Sequence, residues 1–321
     1  MKAYGWAGII LLAVAEYGLL RRIEPFLSWF YSFAWWSYIL IADNLLLKLK
    51  GQSLFTTRRG ELARMLPLSV FVWLVFEAYN LVIRNWGYSG VPQQAWVRWP
   101  GYALAFATVL PGIFITSDLI QCLFGDKGAP AASAAESLTA SSASLPSRVL
   151  FAAGLGLSLA PLVWPRFFFP AVWVGPIFLL DPLLEKAGIR SLSLAIASGD
   201  RTRVLSLLAG GFACGGLWEF WNYWAAARWV YSVPFFQSWK IFEMPLLGFL
   251  GFPPFALECW ILYHLLRSAP LRWTSAPARA AFWIAVGVFC VVVFRAMDVR
   301  TVISFAQGGH RNFPPLSFGP G

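Results

Sequence analysis

The stretch "WWSYILIADNLLLKLKGQSL" (residues 35–54) returns 138 positions later as "WVGPIFLLDPLLEKAGIRSL" (residues 173–192), and this echo decides how the chain is read. Without a gap, Trp35 falls on Trp173, Asp43 on Asp181, Lys48 on Lys186 and Ser53 on Ser191. Farther on, "FEAYNLVIRNWGYSGVP" (76–92) lies against "WEFWNYWAAARWVYSVP" (218–234) with small gaps. It pairs Glu77 with Glu219, Asn80 with Asn222, Trp86 with Trp229 and Tyr88 with Tyr231. These paired types are rare in apolar sequence, so the likeness points to one unit used twice.

The solvent of that unit follows from composition. With 59% hydrophobic and 12% charged residues and a mean hydropathy of +0.63, the chain has too little polar surface to clothe a soluble domain. Apolar runs of about 20 residues, the length that crosses a bilayer core, fall near 3–20, 27–47, 65–84, 101–124, 148–165, 168–185, 204–227, 243–267 and 279–297. Proline interrupts the fifth and sixth at Pro161, Pro165 and Pro176. The expected fold is therefore an all-α polytopic integral membrane protein of about nine transmembrane helices, built as two parallel four-helix repeats plus one. An even number of helices per copy makes both copies enter in the same sense, related by an axis along the membrane normal.

The expected boundaries are 1–124 for the first repeat, 125–147 for a flexible Ala/Ser-rich linker, 148–269 for the second repeat, and 270–321 for a ninth helix with a Pro/Gly-rich tail. The opening "MKAYGWAGIILLAVAEYG" has the make-up of a signal peptide. The repeat makes it a retained first helix instead.

Fifteen of the 25 Lys and Arg fall on inner segments if the N-terminus is inside. The positive-inside rule then puts the N-terminus inside and the C-terminus outside. Basic loops facing anionic lipid headgroups account for the net charge of +10, so no nucleic acid is implied. Cys122, Cys214, Cys259 and Cys290 all lie in apolar runs without CxxC spacing and read as small buried residues. His264 and His310 are far apart, which leaves no metal site and disfavours diiron chemistry. Nucleotide loops and diphosphate motifs are absent too, so no cofactor is expected.

Glu77 and Asn80 are three residues apart and share a helix face, as do Glu219 and Asn222. A carboxylate at membrane depth costs about 2.5–3.5 kcal/mol on insertion scales, so it turns inward to a partner or a cavity. Two readings follow. In one, the Glu-x-x-Asn pairs are polar glue between repeats, with Glu77 paired to Arg84 on the same stripe. In the other they line a cavity, with Glu219, Glu243 and Asn222 as catalytic residues and Trp218, Trp229, Tyr231, Glu77 and Asn80 contacting substrate. Asn222 would then orient the donor. Asp43 and Asp181, each before a Leu-Leu pair and a Lys, are expected to pair with nearby basic loop residues.

The order of "WEFWNYWAAARWVY" and then "FEMP" resembles the lycopene cyclase domain of bacterial heterodimeric and fungal fused enzymes. That family carries an acid near a helix end, a W-x-Y, and a Pro with glutamate opening the next helix. The matching positions are Glu219, Trp229, Tyr231 and Glu243. The resemblance implies a carotenoid or other isoprenoid substrate taken from the bilayer, cofactor-free acid catalysis, and residence in the bacterial cytoplasmic (inner) membrane. Ring faces, Trp above all, suit a carbocation. Three classes stay open on sequence: such an enzyme, a structural or lipid-binding membrane protein, and a proton-coupled transporter or channel.

Overall fold

The computed structural model describes residues 1–124, 147–199, 201–272 and 275–303. The expected linker, apart from Ser147, and the tail from residue 304 onward with His310 lie outside the described residues.

In chain order, α1 (Ala3–Leu20) and α2 (Phe26–Lys50) precede α3 (Arg59–Ile83), which runs into a short strand β1 (Trp86–Ser89). Then come α4 (Ala95–Phe106) and α5 (Val109–Leu123). After them stand α6 (Ser147–Val163), α7 (Pro165–Phe168), α8 (Gly175–Lys186), α9 (Leu192–Ala197) and α10 (Thr202–Trp224), which leads into β2 (Arg228–Tyr231). A small hairpin of β3 (Lys240–Ile241) and β4 (Met244–Pro245), then α11 (Phe252–Arg272) and α12 (Ala276–Arg300), complete the described chain.

Seven helical segments among the described residues are long and apolar enough to cross a membrane: Ala3–Leu20, Arg59–Ile83, Ala95–Leu123, Pro165–Lys186, Thr202–Trp224, Leu246–Ser268 and Ala276–Arg300. The protein is a helical, membrane-embedded protein with almost no sheet. Helix α2 has 25 residues, and Arg148–Val163 is a shorter apolar helix.

Lipid gives helices no hydrophobic drive to associate, so close packing through small residues substitutes for it. A side chain at Gly154 on α6 would sit 2.1 Å from the backbone nitrogen of Leu179 on α8. One at Gly211 on α10 would sit 2.5 Å from the carbonyl of Phe252 on α11. Glycine at these two points lets the backbones touch.

Two elements differ from the sequence expectation. The run at 101–124 is not one helix, because α4 and α5 meet at a break over Ala107 and Thr108. There, Ser69 Oγ of α3 donates to the Phe106 carbonyl at 2.6 Å and accepts from Leu110 N at 3.0 Å. The hydroxyl stands in place of the single helical bond from Leu110 to Phe106, a side chain inserted into the ladder. Ser69→Ala removes partners from two backbone groups that lipid cannot satisfy. We expect a loss of about 1–3 kcal/mol, read as a lower melting temperature of the purified protein; an unchanged melt would mean that the helix closes by itself. The second difference is at 243–267, where the helix starts only at Phe252, after β3, β4 and a 3₁₀ turn over Leu246–Gly251. Pro245 has no N–H to donate, and Pro253 and Pro254 fit only a first turn.

The aspartates also differ from expectation, since their partners are not basic. Asp43 accepts from Leu54 N at 2.7 Å, from Ser53 Oγ at 2.5 Å and from Tyr4 Oη at 3.0 Å. Asp181 accepts from Leu192 N at 2.7 Å and Ser193 N at 3.0 Å. Each carboxylate binds the backbone of the turn eleven residues ahead, where N–H groups lack helical partners.

Candidate functional site

Strands β1 and β2 lie where α3 and α10 end, and they pair antiparallel with Trp86 opposite Tyr231 and Tyr88 opposite Trp229. The asparagines make this possible. Asn80 Nδ2 donates to the Trp86 carbonyl at 2.8 Å, and Asn80 Oδ1 accepts from Asn85 N at 2.9 Å. Asn222 does the same for its own strand, donating to the Trp229 carbonyl and accepting from Trp229 N, both at 2.9 Å. Each amide thus fastens a strand to the C-terminal turn of the helix before it. Asn222 orients backbone, not a carboxyl, which corrects the role expected for it.

Beneath the strands are the two acids, both fully buried. Glu77 Oε1 accepts from Trp73 Nε1 at 3.0 Å, Trp86 Nε1 at 2.9 Å and Tyr88 Oη at 2.5 Å. Arg84 is exposed, at a left-handed position with φ of 53° that ends α3. The expected Glu77–Arg84 pair is therefore replaced by two indoles and a phenol. Glu219 Oε1 accepts from Tyr231 Oη at 2.8 Å, and that hydroxyl in turn accepts from Trp229 Nε1 at 2.8 Å. The Oε2 atoms of Glu77 and Glu219 are buried without a hydrogen-bond partner. Burial holds the Tyr88 and Tyr231 hydroxyls well above the usual phenol range, with the adjacent glutamates as a further cause. Both therefore stay protonated and act as donors.

Above the acids lies a cavity of about 140 Å³. Trp73, Trp86 and Tyr88 wall it from one side of the strand pair, and Trp218, Trp229 and Tyr231 from the other. Of the residues expected at the site, Trp218, Trp229 and Tyr231 form the wall, whereas Glu77, Asn80, Glu219, Asn222 and Glu243 do not. The acids reach the cavity only through the rings that they hold. Glu243 sits in the turn between β3 and β4 and pairs with Arg228 at 3.7 Å; Arg228 is itself a wall residue. Trp73, which shares the Glu77 stripe, Trp173, the repeat match of Trp35, and Tyr102 were not expected at the site, yet all three also face the cavity. The spacing of Trp73 four residues before Glu77 put it on the acid's helix face but gave no sign that the indole would form a cavity wall.

One more element closes the site. Tyr88 N donates to the Thr301 carbonyl at 2.7 Å, so the end of α12 lies beside β1 on the side away from β2. Arg98 on α4 grips Asp298 on α12 with two bonds, Nε to Oδ1 at 2.7 Å and an Nη to Oδ2 at 2.6 Å, and Trp99 Nε1 adds a third at 2.8 Å.

Among the described residues, no group of three His, Cys, Asp or Glu side chains could hold a metal ion. His264 is buried against the rings of Trp260 and Tyr263. No protein-family model, no curated protein and no solved structure matches the chain.

Proposed function

We propose that the chain crosses the cytoplasmic membrane nine times as two parallel four-helix copies plus α12, and that the aromatic cavity between the copies binds an isoprenoid and changes it by proton transfer. Several contacts support the two-copy reading. Asp43 to Leu54 and Asp181 to Leu192 are the same bond at the offset of 138. Trp35 packs on Trp218 at 5.5 Å, and its counterpart Trp173 packs on Phe76, the counterpart of Trp218, at 5.4 Å. In β1 and β2 each W-x-Y faces the other reversed, the pattern of two like surfaces about a two-fold axis.

The observation that carries the chemistry is the hydrogen bond from Tyr231, on the cavity wall, to Glu219 behind it. Tyr231 Oη already accepts from Trp229 and has one lone pair left. With a protonated Glu219 the bond reverses: the phenol turns its own O–H towards the cavity, accepts the acid's proton on the lone pair that then faces Glu219, and gives its own proton to an alkene carbon. The C=C π bond becomes a C–H bond and leaves a cation on the neighbouring carbon, under the faces of Trp86, Trp218 and Trp229. Loss of a proton from an adjacent carbon to Tyr231, and back to Glu219, restores the acid. The net change is an isomerisation that consumes nothing. This is the class of reaction implied by the resemblance to the lycopene cyclase domain.

A second reading, lipid binding without chemistry, is favoured by the absence of both acids from the cavity wall. There the glutamates only hold the rings in position. Extraction of the protein from its native membrane decides between ligand classes: a co-purifying isoprenoid, identified by mass spectrometry, is expected, and recovery of phospholipid alone would sink the proposal. Reporter fusions are expected to put residues 48–64 and the segment 125–147 in the cytoplasm and the C-terminal tail outside, as the basic residues dictate. A periplasmic signal from 125–147 would overturn the orientation.

A further inference from the structure

The cavity is closed differently on its two sides. Beside β1 run Thr301 and Val302, and Phe294 of α12 packs on the wall residue Tyr102 at 5.7 Å. Arg98 and Asp298 lock that side with bonds of 2.7 and 2.6 Å. On the side of β2 the wall includes Val233, Met244, Gly248 and Gly251, all from the segment 232–251 that joins β2 to α11. The ion pair there, Arg228 with Glu243, spans 3.7 Å, with side chains 32% and 17% exposed. So loose and wet a pair holds little.

The same segment turns large apolar side chains outward. Phe236, Trp239 and Leu250 are 73%, 77% and 68% exposed. Phe236 and Phe242 also have left-handed backbone, with φ of 58° and 57°, a region that strains any residue with a Cβ. Phe242 is compensated by packing on Phe220 and Tyr223 of α10, each at 5.7 Å. Phe236, mostly uncovered by the chain, must find its cover elsewhere. The neighbouring residues identify that cover. One membrane-length apolar segment ends at Trp224 and the next begins at Leu246, directly after β4. The residues between them therefore lie where lipid chains meet headgroups, the level at which Trp rings collect and a lysine such as Lys240 reaches phosphate. Irregular backbone is excluded from the hydrocarbon core but not from this boundary, and here β3 pairs with β4 while Leu246 N donates to the Trp239 carbonyl at 2.8 Å. The first copy has no such segment: only residues 90–94 separate β1 from α4, with Gln93 and Gln94 among them.

We propose that segment 232–251 seats its outer face in the chain–headgroup boundary of the bilayer and forms the lateral entrance of the cavity, through which the substrate passes from the leaflet between β2 and the β3–β4 hairpin. The identity of what enters rests on the isoprenoid reading above; the lipid contact does not.

The test uses the full chain in phospholipid nanodiscs. A benzophenone amino acid replaces Phe236 or Trp239, and illumination is expected to give adducts with lipid acyl chains at both positions, read by mass spectrometry. Absence of lipid adducts at both overturns the proposal. The second measurement is the rate at which geranylgeraniol, added to the nanodiscs, occupies the protein, followed by native mass spectrometry. Trp239→Asp draws the segment towards water without touching the wall, so entry is expected to slow about tenfold with the final occupancy unchanged. Trp96→Asp, at a residue 79% exposed near the start of α4, should leave the rate as it is. If Trp239→Asp does not fold, Trp239→Gln replaces it. An unchanged rate in the Trp239 variant, or equal slowing in both, overturns the entrance. If geranylgeraniol never occupies the unaltered protein although lipid adducts form, the isoprenoid reading falls and the lipid-seated segment stands.

Discussion

Glu219→Gln is expected to leave the protein folded in the membrane and to lower isoprenoid turnover by about 10²–10⁴-fold, the usual contribution of a positioned acid. The glutamine carbonyl can still accept from Tyr231, so the wall keeps its shape and ligand binding is retained. What disappears is the proton. Tyr231→Phe is expected to match this loss, because it removes the hydroxyl through which Glu219 reaches the cavity. Glu77→Gln is the control. Its carboxylate holds Trp73, Trp86 and Tyr88 through one oxygen, and the new amide nitrogen would stand buried where Oε2 has no partner. That unsatisfied donor costs about 1–3 kcal/mol in stability, with far less effect on turnover. Full activity in Glu219→Gln, or the same modest destabilisation and nothing more in both variants, would return the pair to the role of ring holders.

The largest effect on stability is expected at Asp298. Its two oxygens take both arms of Arg98 and the Trp99 indole, and the ion pair is about 95% buried on each side, at 5% and 6% exposure. Removing one partner of such a pair leaves an uncompensated buried charge and costs about 3–5 kcal/mol. Asp298→Ala should therefore lower the melting temperature sharply. The double change Arg98→Met with Asp298→Leu should recover most of that loss, since no charge is then stranded. A double variant less stable than the single one would show that the pair is a net attraction and not mainly a neutralisation.

Much of the architecture was legible because its signals are dense. Membrane residence follows from composition, and the proposal of two like halves rests on rare residues at a constant spacing. Proline marked where Pro165–Lys186 would be irregular. The strands were not legible, because four residues are too few for a period and their partner is 142 positions away. The break between α4 and α5 escaped for a related reason: its cause, Ser69, sits on another helix. At the site, helical spacing correctly grouped each glutamate with its asparagine. It could not reveal that the amide is consumed by strand backbone, or that rings stand between acid and cavity. Those facts depend on where a chain turns after its helix ends, and Arg84 shows the point: i+7 spacing put it on the Glu77 stripe, but Arg84 is itself the left-handed residue that ends the helix.

The contact between Thr301 and Tyr88 has a bearing on biogenesis. In synthesis order, residues 301 and 302 follow every residue that walls the cavity, so β1 gains its outer neighbour only when translation has passed α12. Until then the nascent protein carries both halves of the wall with one edge of β1 unpaired inside the translocon's reach. A chain stalled before residue 298 also lacks the Asp298 anchor for Arg98. Quality control that recognises unpaired strand edges or stranded membrane arginines would therefore see every incomplete copy as unfinished, however well its earlier helices had inserted.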